Sequence, residues 1–243
     1  MTVMDVTVRN FIALDLETTG LAPAKDRIIE IGAVRVEDGR QAGRFETLVD
    51  PGIHISPRIT QLTGINDAMA RTGMDTRAAV ETLAEFCGGL PLLGHNIRFD
   101  YGFVKQNAVN FKIPFEKQGI DTLKIARRLL PDLESRGLGA LCTYFGIPLE
   151  HAHRAGDDAC AAYKLYFRLA EAFPEAESEI FAPKEMPYKC RRQGPVTPAQ
   201  KRYLNDLAKY HKINLSMSID ALTKNEASRL IDKIISEYGR ITR

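Results

Sequence analysis

The chain has 243 residues, of which 44% are hydrophobic and 26% charged, and its formal net charge is +2. These values are typical of a globular protein with a sizeable core, and they argue against a disordered or fibrous chain. The apolar runs are too short for a membrane span, the N-terminus lacks a signal pattern and the four cysteines form no C-x-x-C pair, so we expect a cytoplasmic protein without a membrane partner.

Short apolar runs separated by turn residues fill the first fifty positions. They predict three β-strands, at Phe11–Leu16, Ile28–Val36 and Phe45–Val49. A short turn that contains Asp38 and Gly39 separates the last two runs, which favours an antiparallel pair.

Further along the chain, strands alternate with helices. Two more short apolar runs predict strands at Pro91–Gly94 and Gly119–Asp121. Helical periodicity together with start and stop residues predicts helices at Arg77–Cys87, Tyr101–Asn107, Leu123–Leu130, Gly137–Phe145 and Ala155–Ala172. This order indicates an α/β protein with a mixed sheet flanked by helices.

A proline-rich segment separates this region from the C-terminal part. Prolines at 174, 183, 187, 195 and 198 predict a linker. We therefore expect a domain at 1–173, a linker at 174–196 and a small basic two-helix module at 197–243. The two helices are expected after Thr197 and Thr223, each of which begins a capping-box pattern.

Acidic residues recur at the expected ends of these elements. Asp15 and Glu17 are two residues apart on the first predicted strand, so both side chains project from one face. Buried carboxylates this close repel one another, and a divalent cation is the usual compensation. Asp100 follows a later strand, and Asp158 begins a helix five residues after His153. The pattern predicts a metal site of oxygen ligands; the alternative is that each acid is solvated or caps a helix.

These residues fall in three motifs, Asp15-x-Glu17-Thr18-Thr19-Gly20, His95-Asn96-x-x-Phe99-Asp100 and His153-x-Ala155-x-x-Asp158-Ala159. Together the motifs resemble the DEDDh family of 3′–5′ exonucleases, which includes the proofreading epsilon subunit of bacterial replicative DNA polymerase. The segment Ile59–Ile65 is similar to that family's loop between the first two motifs, and the resemblance covers about residues 9–172. It implies a ribonuclease H-like fold whose mixed sheet has five strands, the first three antiparallel and the last two parallel to the first.

The resemblance also implies roles for individual residues. Asp15, Glu17, Asp100 and Asp158 would hold two Mg²⁺ or Mn²⁺ ions, with Asp15 bridging both ions. Glu17 and Asp158 would complete the shell of one ion, and Asp100 would hold the other partly through water. His153 would be the general base that takes a proton from the attacking water. The residues expected to bind substrate are Thr18, Thr19, Gly20, Leu62, Ile65, Asn96 and Phe99.

The third motif leaves two choices open. His151 lies two residues before His153, and Asp157 directly precedes Asp158. The family's spacing favours His153 and Asp158, and neighbouring helical residues point about 100° apart, so only one aspartate can face the metals. We expect His153 to lie on a loop that moves as substrate binds, and the nearby Gly156 would permit this movement.

Two of the expected substrate-binding residues have structural alternatives. Phe99 would either stack on a nucleotide or fill the core. Asn96 would form a hydrogen bond either with the substrate near the scissile phosphodiester or only within its own turn. Asp121 is expected to cap the helix that follows it.

Positive charge is concentrated toward the C-terminus. Residues 184–243 contain 13 Lys/Arg and 6 Asp/Glu, whereas residues 1–183 contain 20 and 25. This asymmetry is typical of a protein with a nucleic-acid partner. The alternative is that a small helical module is basic for solubility alone. The cations expected to grip phosphates are Lys201, Arg202, Lys209, Lys212 and Lys224. The rival hypothesis is that residues 190–243 dock a polymerase or another protein through Tyr203, Leu207 and Ile231.

The resemblance predicts a metal-dependent 3′–5′ exonuclease that releases nucleoside 5′-monophosphates from single-stranded DNA in proofreading or repair. The alternative is a 3′–5′ exoribonuclease or oligoribonuclease with the same residues, because the motifs do not report whether a 2′-hydroxyl is accepted. A third hypothesis is a non-catalytic nucleic-acid-binding or scaffold module. Such a module would have lost at least one of the five acidic and histidine residues, and all five are present.

Overall fold

The computed structural model describes residues 7–149, 152–190, 192–215 and 218–241. The strands are β1 (Phe11–Thr18), β2 (Ile28–Glu37), β3 (Arg40–Asp50), β4 (Met74–Asp75), β5 (Leu92–Gly94), β6 (Gln118–Asp121) and β7 (Lys184–Glu185). The helices are α1 (Pro57–Thr63), α2 (Asp67–Ala70), α3 (Thr76–Cys87), α4 (Arg98–Phe111), α5 (Thr122–Leu129), α6 (Leu138–Phe145), α7 (Ala155–Ala172), α8 (Pro198–His211) and α9 (Lys224–Tyr238). Short 3₁₀ turns occupy Ser178–Ile180 and Ile219–Ala221. No helix in these ranges is both long and apolar enough to cross a membrane.

The strands form one mixed sheet in the order β4-β3-β2-β1-β5-β6-β7. β1, β2 and β3 are antiparallel neighbours, β5 runs parallel to β1, and β6 runs parallel to β5. This confirms the predicted ribonuclease H-like sheet. The two additional strands, β4 and β7, have two residues each and lie at the edges, too short to leave a periodic pattern in the sequence.

Two short helices, α2 and α1, were not predicted. Of these, α1 overlaps the segment Ile59–Ile65, which we interpreted as a loop. The Ser56 side chain accepts a hydrogen bond from the Ile59 amide at its start, and Gly64 ends it with a left-handed φ of 75°. With only seven residues, the helix is too short for its periodicity to stand out.

Alternate residues of β1 contribute to two hydrophobic cores on opposite faces of the sheet. Phe11 and Ala13 pack with α5, α6 and α7, whereas Ile12 and Leu14 pack with α3 and α4. Continuing the same alternation, Asp15 and Glu17 project toward the face that α7 covers. The two-residue period of the strand is therefore enough to put both acids on the α7 side of the sheet.

The proline-rich segment lies against the sheet rather than extending away from it. Phe181 is fully buried in the α7-side core and its carbonyl accepts a hydrogen bond from the Tyr166 hydroxyl at 3.1 Å. Met186 is buried in the opposite core, and β7 pairs with β6. The boundaries 1–173, 174–196 and 197–243 stay a prediction.

Helices α8 and α9 pack around a small core of their own. Both predicted capping boxes are present, Thr197 with Gln200 and Thr223 with Glu226. Leu207 is fully buried in this core. Tyr203 and Ile231 pack against it as well, so the residues suggested to face a protein partner instead hold the two helices together.

The module is attached to the sheet domain through the loop that joins β1 to β2. The Arg27 guanidinium donates to the Glu226 carboxylate at 2.6 Å, and both side chains are mostly shielded from water. The Arg27 amide in turn donates to the Thr19 hydroxyl at 2.9 Å. A second contact joins the Ser218 amide to the Gly52 carbonyl at 2.8 Å.

We expect Glu226→Gln to weaken this attachment. Glutamine still accepts the capping hydrogen bonds, as Gln200 does in α8, but it carries no charge to offer Arg27. A lost charge-assisted hydrogen bond is worth about 1–2 kcal/mol, or about 2–8 °C in the melting temperature of a chain of this size. The control is Glu237→Gln, which removes a carboxylate from the exposed Lys233 pair on the same helix and should change little. Identical melting curves for Glu226→Gln and the parent protein would contradict the assigned contact.

Candidate active site

Four carboxylates converge at the C-terminal end of β1. Asp15 and Glu17 lie on the strand itself, Asp100 lies in the first turn of α4, and Asp158 lies in the first turn of α7. α4 follows β5, the parallel neighbour of β1, and therefore begins at the same end of the sheet. The Asp100 carboxylate accepts a hydrogen bond from the Leu16 amide at 3.1 Å, which fixes it against β1. The structure thus brings together the four acids that the sequence singled out.

Burial and mutual repulsion raise the pKa of each of these carboxyl groups. Desolvation is the largest cause at all four. It places the pKa of Asp15 and of Asp100 well above the usual range, and carboxylates nearby add to the shift. Desolvation and repulsion from Asp158 raise the pKa of Glu17 to about 7. Ionisation of these carboxyl groups therefore destabilises the metal-free fold, and a bound cation would remove this destabilisation.

The residues fit a divalent metal ion. One ligand atom each of Glu17, His153 and Asp158 lies within 4.8 Å of the other two. The Oδ1 atom of Asp158 is buried and has no hydrogen-bond partner among the described residues. A buried carboxylate oxygen without a partner is costly unless a cation binds it, and Mg²⁺ and Mn²⁺ prefer oxygen ligands.

A fifth buried acid, Glu30, was not identified from the sequence. It lies on β2 directly opposite Glu17 in the register. Its carboxylate accepts three hydrogen bonds from Arg154, at 2.7, 3.0 and 3.3 Å, and one from the Ala155 amide at 3.0 Å. Glu30 therefore fixes the first turn of α7, from which Asp158 projects. The only signal was an acid in the apolar run Ile28–Val34, which any half-buried strand can carry.

Two glycines allow α7 to approach the sheet. A β-carbon at Gly32, the register partner of Asp15, would collide with the backbone of Ala155 and Gly156. Gly156 lies in the first helical turn and faces the side chains of β3. The prediction that it supplies loop movement is wrong, because it is a buried helical residue at a close contact.

His153 lies at the rim of the site. Its backbone is left-handed, with a φ of 66°, and its amide donates to Asp158 Oδ2 at 3.1 Å. Asp157, the alternative ligand, instead lies 3.3 Å from the Arg44 guanidinium at the surface of the sheet. His151, the alternative base, lies outside the described residues.

The turn formed by Thr18, Thr19 and Gly20 is closed by its own hydrogen bonds. We call it the 3′-end turn, because the resemblance implies that it binds the 3′ end of the substrate. The Thr18 hydroxyl donates to the Gly20 carbonyl at 2.7 Å, and Thr19 pairs with Arg27 through both its amide and its hydroxyl. The turn follows Glu17 directly and therefore borders the carboxylate cluster.

The other predicted substrate-binding residues differ in accessibility. Leu62 is 51% exposed on α1, whereas Ile65 is fully buried among the residues beneath it. The predicted substrate contact of Ile65 is thus not available in this structure, because its side chain belongs to the core. Asn96 is exposed, with a φ of 70°, and its amide donates to Asp121. Phe99 is half-buried and packs on Phe103 at a ring distance of 5.0 Å, as its core alternative requires.

The raised pKa of Glu17 predicts how stability depends on pH when metal is absent. A carboxyl group whose folded pKa exceeds its unfolded value stabilises the fold below the unfolded pKa, and this contribution is lost as pH rises through the folded pKa. For Glu17 the loss extends from pH 4.5 to about 7 and is worth up to about 3 kcal/mol. In EDTA, Glu17→Gln should therefore gain stability over the parent protein progressively from pH 5 to pH 8. If the difference in unfolding free energy between Glu17→Gln and the parent protein stays constant from pH 5 to pH 8, the pKa of Glu17 is not raised.

Comparison with known proteins gives the family. The family model described as an exonuclease, RNase T, matches residues 12–166. The PolC-type DNA polymerase III of Caldanaerobacter subterraneus subsp. tengcongensis is 38% identical over 165 residues, which are 68% of this chain and 12% of that protein. Its counterpart in Clostridium perfringens is 38% identical over 155 residues, which are 64% of this chain and 11% of that protein. The chain thus spans a small part of the length of these relatives.

Solved structures agree with the fold. E. coli exonuclease I, in complex with a dT13 oligonucleotide, superposes with a TM-score of 0.61 at 21% identity, over 69% of this chain and 42% of that chain. Exonuclease X, in complex with 5′-overhanging duplex DNA, superposes with a TM-score of 0.55 at 25% identity, over 71% of this chain and 99% of that chain. The resemblance predicted from the motifs is confirmed, and the chain belongs to the RNase T exonuclease family.

Proposed function

We propose that this protein is a 3′–5′ exonuclease that hydrolyses phosphodiester bonds at the 3′ end of single-stranded DNA with two Mg²⁺ or Mn²⁺ ions. The observation that carries the proposal is the convergence of Asp15, Glu17, Asp100 and Asp158. One oxygen of Asp158 is also buried without a hydrogen-bond partner among the described residues. DNA is preferred over RNA because the relatives above are named DNA polymerases and E. coli exonuclease I was solved with a DNA oligonucleotide.

In this proposal each acid has a separate task. Glu17 and Asp158 would hold one ion, Asp100 would hold the other, and Asp15 would contribute to holding both. When bound, the ions would stabilise the attacking and the leaving oxygen of an in-line displacement. The turn formed by Thr18, Thr19 and Gly20 follows Glu17 directly, so it would receive the terminal sugar.

His153 would take the proton from the attacking water. Its position at the rim places the imidazole beside the carboxylates while leaving it exposed to solvent. We expect His153→Ala to lower kcat about 10²–10⁴-fold, whereas Mn²⁺ should still raise the melting temperature. The matched control is His151→Ala, which should retain activity. If both variants lose activity equally, the assignment of His153 as the base is wrong.

The experiment that tests the function uses the full chain and one oligonucleotide sequence, prepared as DNA and as RNA and labelled at either end. With Mn²⁺, DNA labelled at the 5′ end should shorten stepwise, while DNA labelled at the 3′ end should release a labelled mononucleotide at once. EDTA should abolish both reactions, and RNA should react more slowly. Release of a labelled mononucleotide from the 5′ end before shortened strands appear would overturn the polarity. The absence of metal-dependent shortening would overturn the enzyme, and faster cleavage of RNA would favour the exoribonuclease alternative.

A further inference from the structure

Three aromatic rings form an exposed cluster at the end of the C-terminal module. We call Tyr210, His211 and Tyr238 the distal aromatic cluster. Tyr210 and Tyr238 are 48% and 53% exposed. The His211 ring lies between them, with ring centroids 4.9 Å from Tyr210 and 5.7 Å from Tyr238. Gln200 near the start of α8 donates to Ser228 near the start of α9, and His211 at the end of α8 lies 3.1 Å from the Gly239 carbonyl just after α9. The two helices therefore run in the same direction, and their C-terminal ends bring the three rings together.

Positive charge surrounds these rings. Lys209, Lys212 and Arg240 are adjacent or nearly adjacent to them in the chain, and all three are exposed. In the described part of the protein they form no ion pair. The acid next to Tyr238, Glu237, pairs with Lys233, and Asp220 pairs with Lys201. Residues 197–243 as a whole contain nine Lys/Arg and five Asp/Glu.

Exposed aromatic faces flanked by unpaired cations suit a single-stranded nucleic acid. Bases stack on the rings whatever their sequence, and the cations neutralise the phosphates between them. We infer that the distal aromatic cluster binds a nucleic-acid single strand, with bases on Tyr210 and Tyr238 and phosphates on Lys209, Lys212 and Arg240. The inference rests on the proposed function in one respect, that this strand is the one whose 3′ end enters the active site.

The distance between the two sites sets a length requirement for the strand. Glu226 contacts Arg27, whose amide is bonded to Thr19 in the 3′-end turn. Tyr238 lies twelve residues further along α9, which is about 18 Å at the rise of an α-helix. At the 3.4 Å spacing of a stacked strand this corresponds to about five nucleotides. A very short substrate would therefore reach the active site alone, whereas a longer strand would engage both sites.

The test is equilibrium binding by the full chain in EDTA, where no hydrolysis is expected, to labelled oligothymidylates. One probe is a trinucleotide and the other has about fifteen nucleotides. The double variant Tyr210→Ala/Tyr238→Ala should bind the longer probe about 10–100-fold more weakly and the trinucleotide as the parent protein does. Tyr210→Phe/Tyr238→Phe, which keeps the ring faces, should bind both probes normally. Tyr144→Ala, which removes a ring that is 57% exposed in the sheet domain, is the matched control.

Undiminished binding of the longer probe by the double alanine variant would overturn the inference and indicate that the rings face another partner. An equal loss for both probes would also overturn it, because the effect would not depend on length. If the double variant does not fold, Lys209→Gln/Lys212→Gln replaces it and should reduce the slope of log affinity against log salt by about 1.4 for a single strand; an unchanged slope would again refute the site. Because binding is measured without metal, a protein that fails to shorten DNA but shows this length-dependent loss would refute the proposed activity alone.

Discussion

Asp158→Asn should abolish metal-dependent hydrolysis and, in the absence of metal, make the protein more stable. Asparagine has nearly the same shape and keeps an oxygen that can accept the hydrogen bond from the His153 amide. It removes a negative charge from a site where desolvation and neighbouring acids already raise the pKa of Asp158. A gain of about 1 kcal/mol would raise the melting temperature by about 2–4 °C, while loss of a metal ligand should cost about 10³-fold in kcat.

Asp157→Asn is the matched control for this variant. It makes the same substitution one residue earlier, at a side chain that lies beside Arg44 rather than in the carboxylate cluster. We expect it to retain activity and to show the parent's increase in melting temperature on addition of Mn²⁺. Melting curves with EDTA and with Mn²⁺, recorded alongside the nuclease assay, separate the two variants. If Asp157→Asn loses the Mn²⁺ response and Asp158→Asn keeps it, the ligand has been assigned to the wrong aspartate.

The opposite effects expected of Asp158→Asn follow from how the site is built. Buried carboxylates that attract cations also repel one another, so the metal-free fold bears an electrostatic cost. Part of this cost is offset by hydrogen bonds such as that from Leu16 to Asp100. The unpaired oxygen of Asp158 has no such compensation among the described residues. Stability without metal and affinity for metal are therefore expected to change in opposite directions when one acid is neutralised.

The sequence predicted the acids of the site because their placement depends on local rules. The period of β1 puts Asp15 and Glu17 on one face, and the first turns of α4 and α7 hold Asp100 and Asp158. The central strands and α7 were predictable for the same reason, since periodicity and caps are encoded by nearby residues.

Features that depend on distant contacts were not predictable in this way. Glu30 pairs with Arg154, which lies 124 residues away, and neither residue has a local pattern that reveals the other. The burial of Phe181 is another example. Its proline-rich segment has the composition of a linker, and nothing nearby in the sequence indicates that this side chain enters the α7-side core. Gly156 has a packing role that a single sequence does not distinguish from a hinge.

Gly32→Ala is expected to damage both stability and activity, because the first turn of α7 lies directly on this glycine. A methyl group there would collide with the backbone of Ala155 and Gly156, and a backbone cannot rotate away as a side chain can. The helix must therefore move outward, at a cost of about 1–3 kcal/mol. Asp158 moves with it, and displacement of a reacting group by about 1 Å costs about 10²-fold in rate.

Gly156→Ala tests whether backbone contact is the cause. It adds the same methyl group on the other side of the interface, but the atoms it meets are the ends of the Glu46 and Arg44 side chains, which are partly exposed and able to swing aside. Alanine also favours the helix over glycine by about 0.5–1 kcal/mol, which offsets part of the displacement. The two variants should therefore differ in unfolding free energy and in kcat, with Gly32→Ala the more impaired in both. Equal effects would mean that the separation of α7 from the sheet is set elsewhere, and that Gly32 does not determine where Asp158 lies.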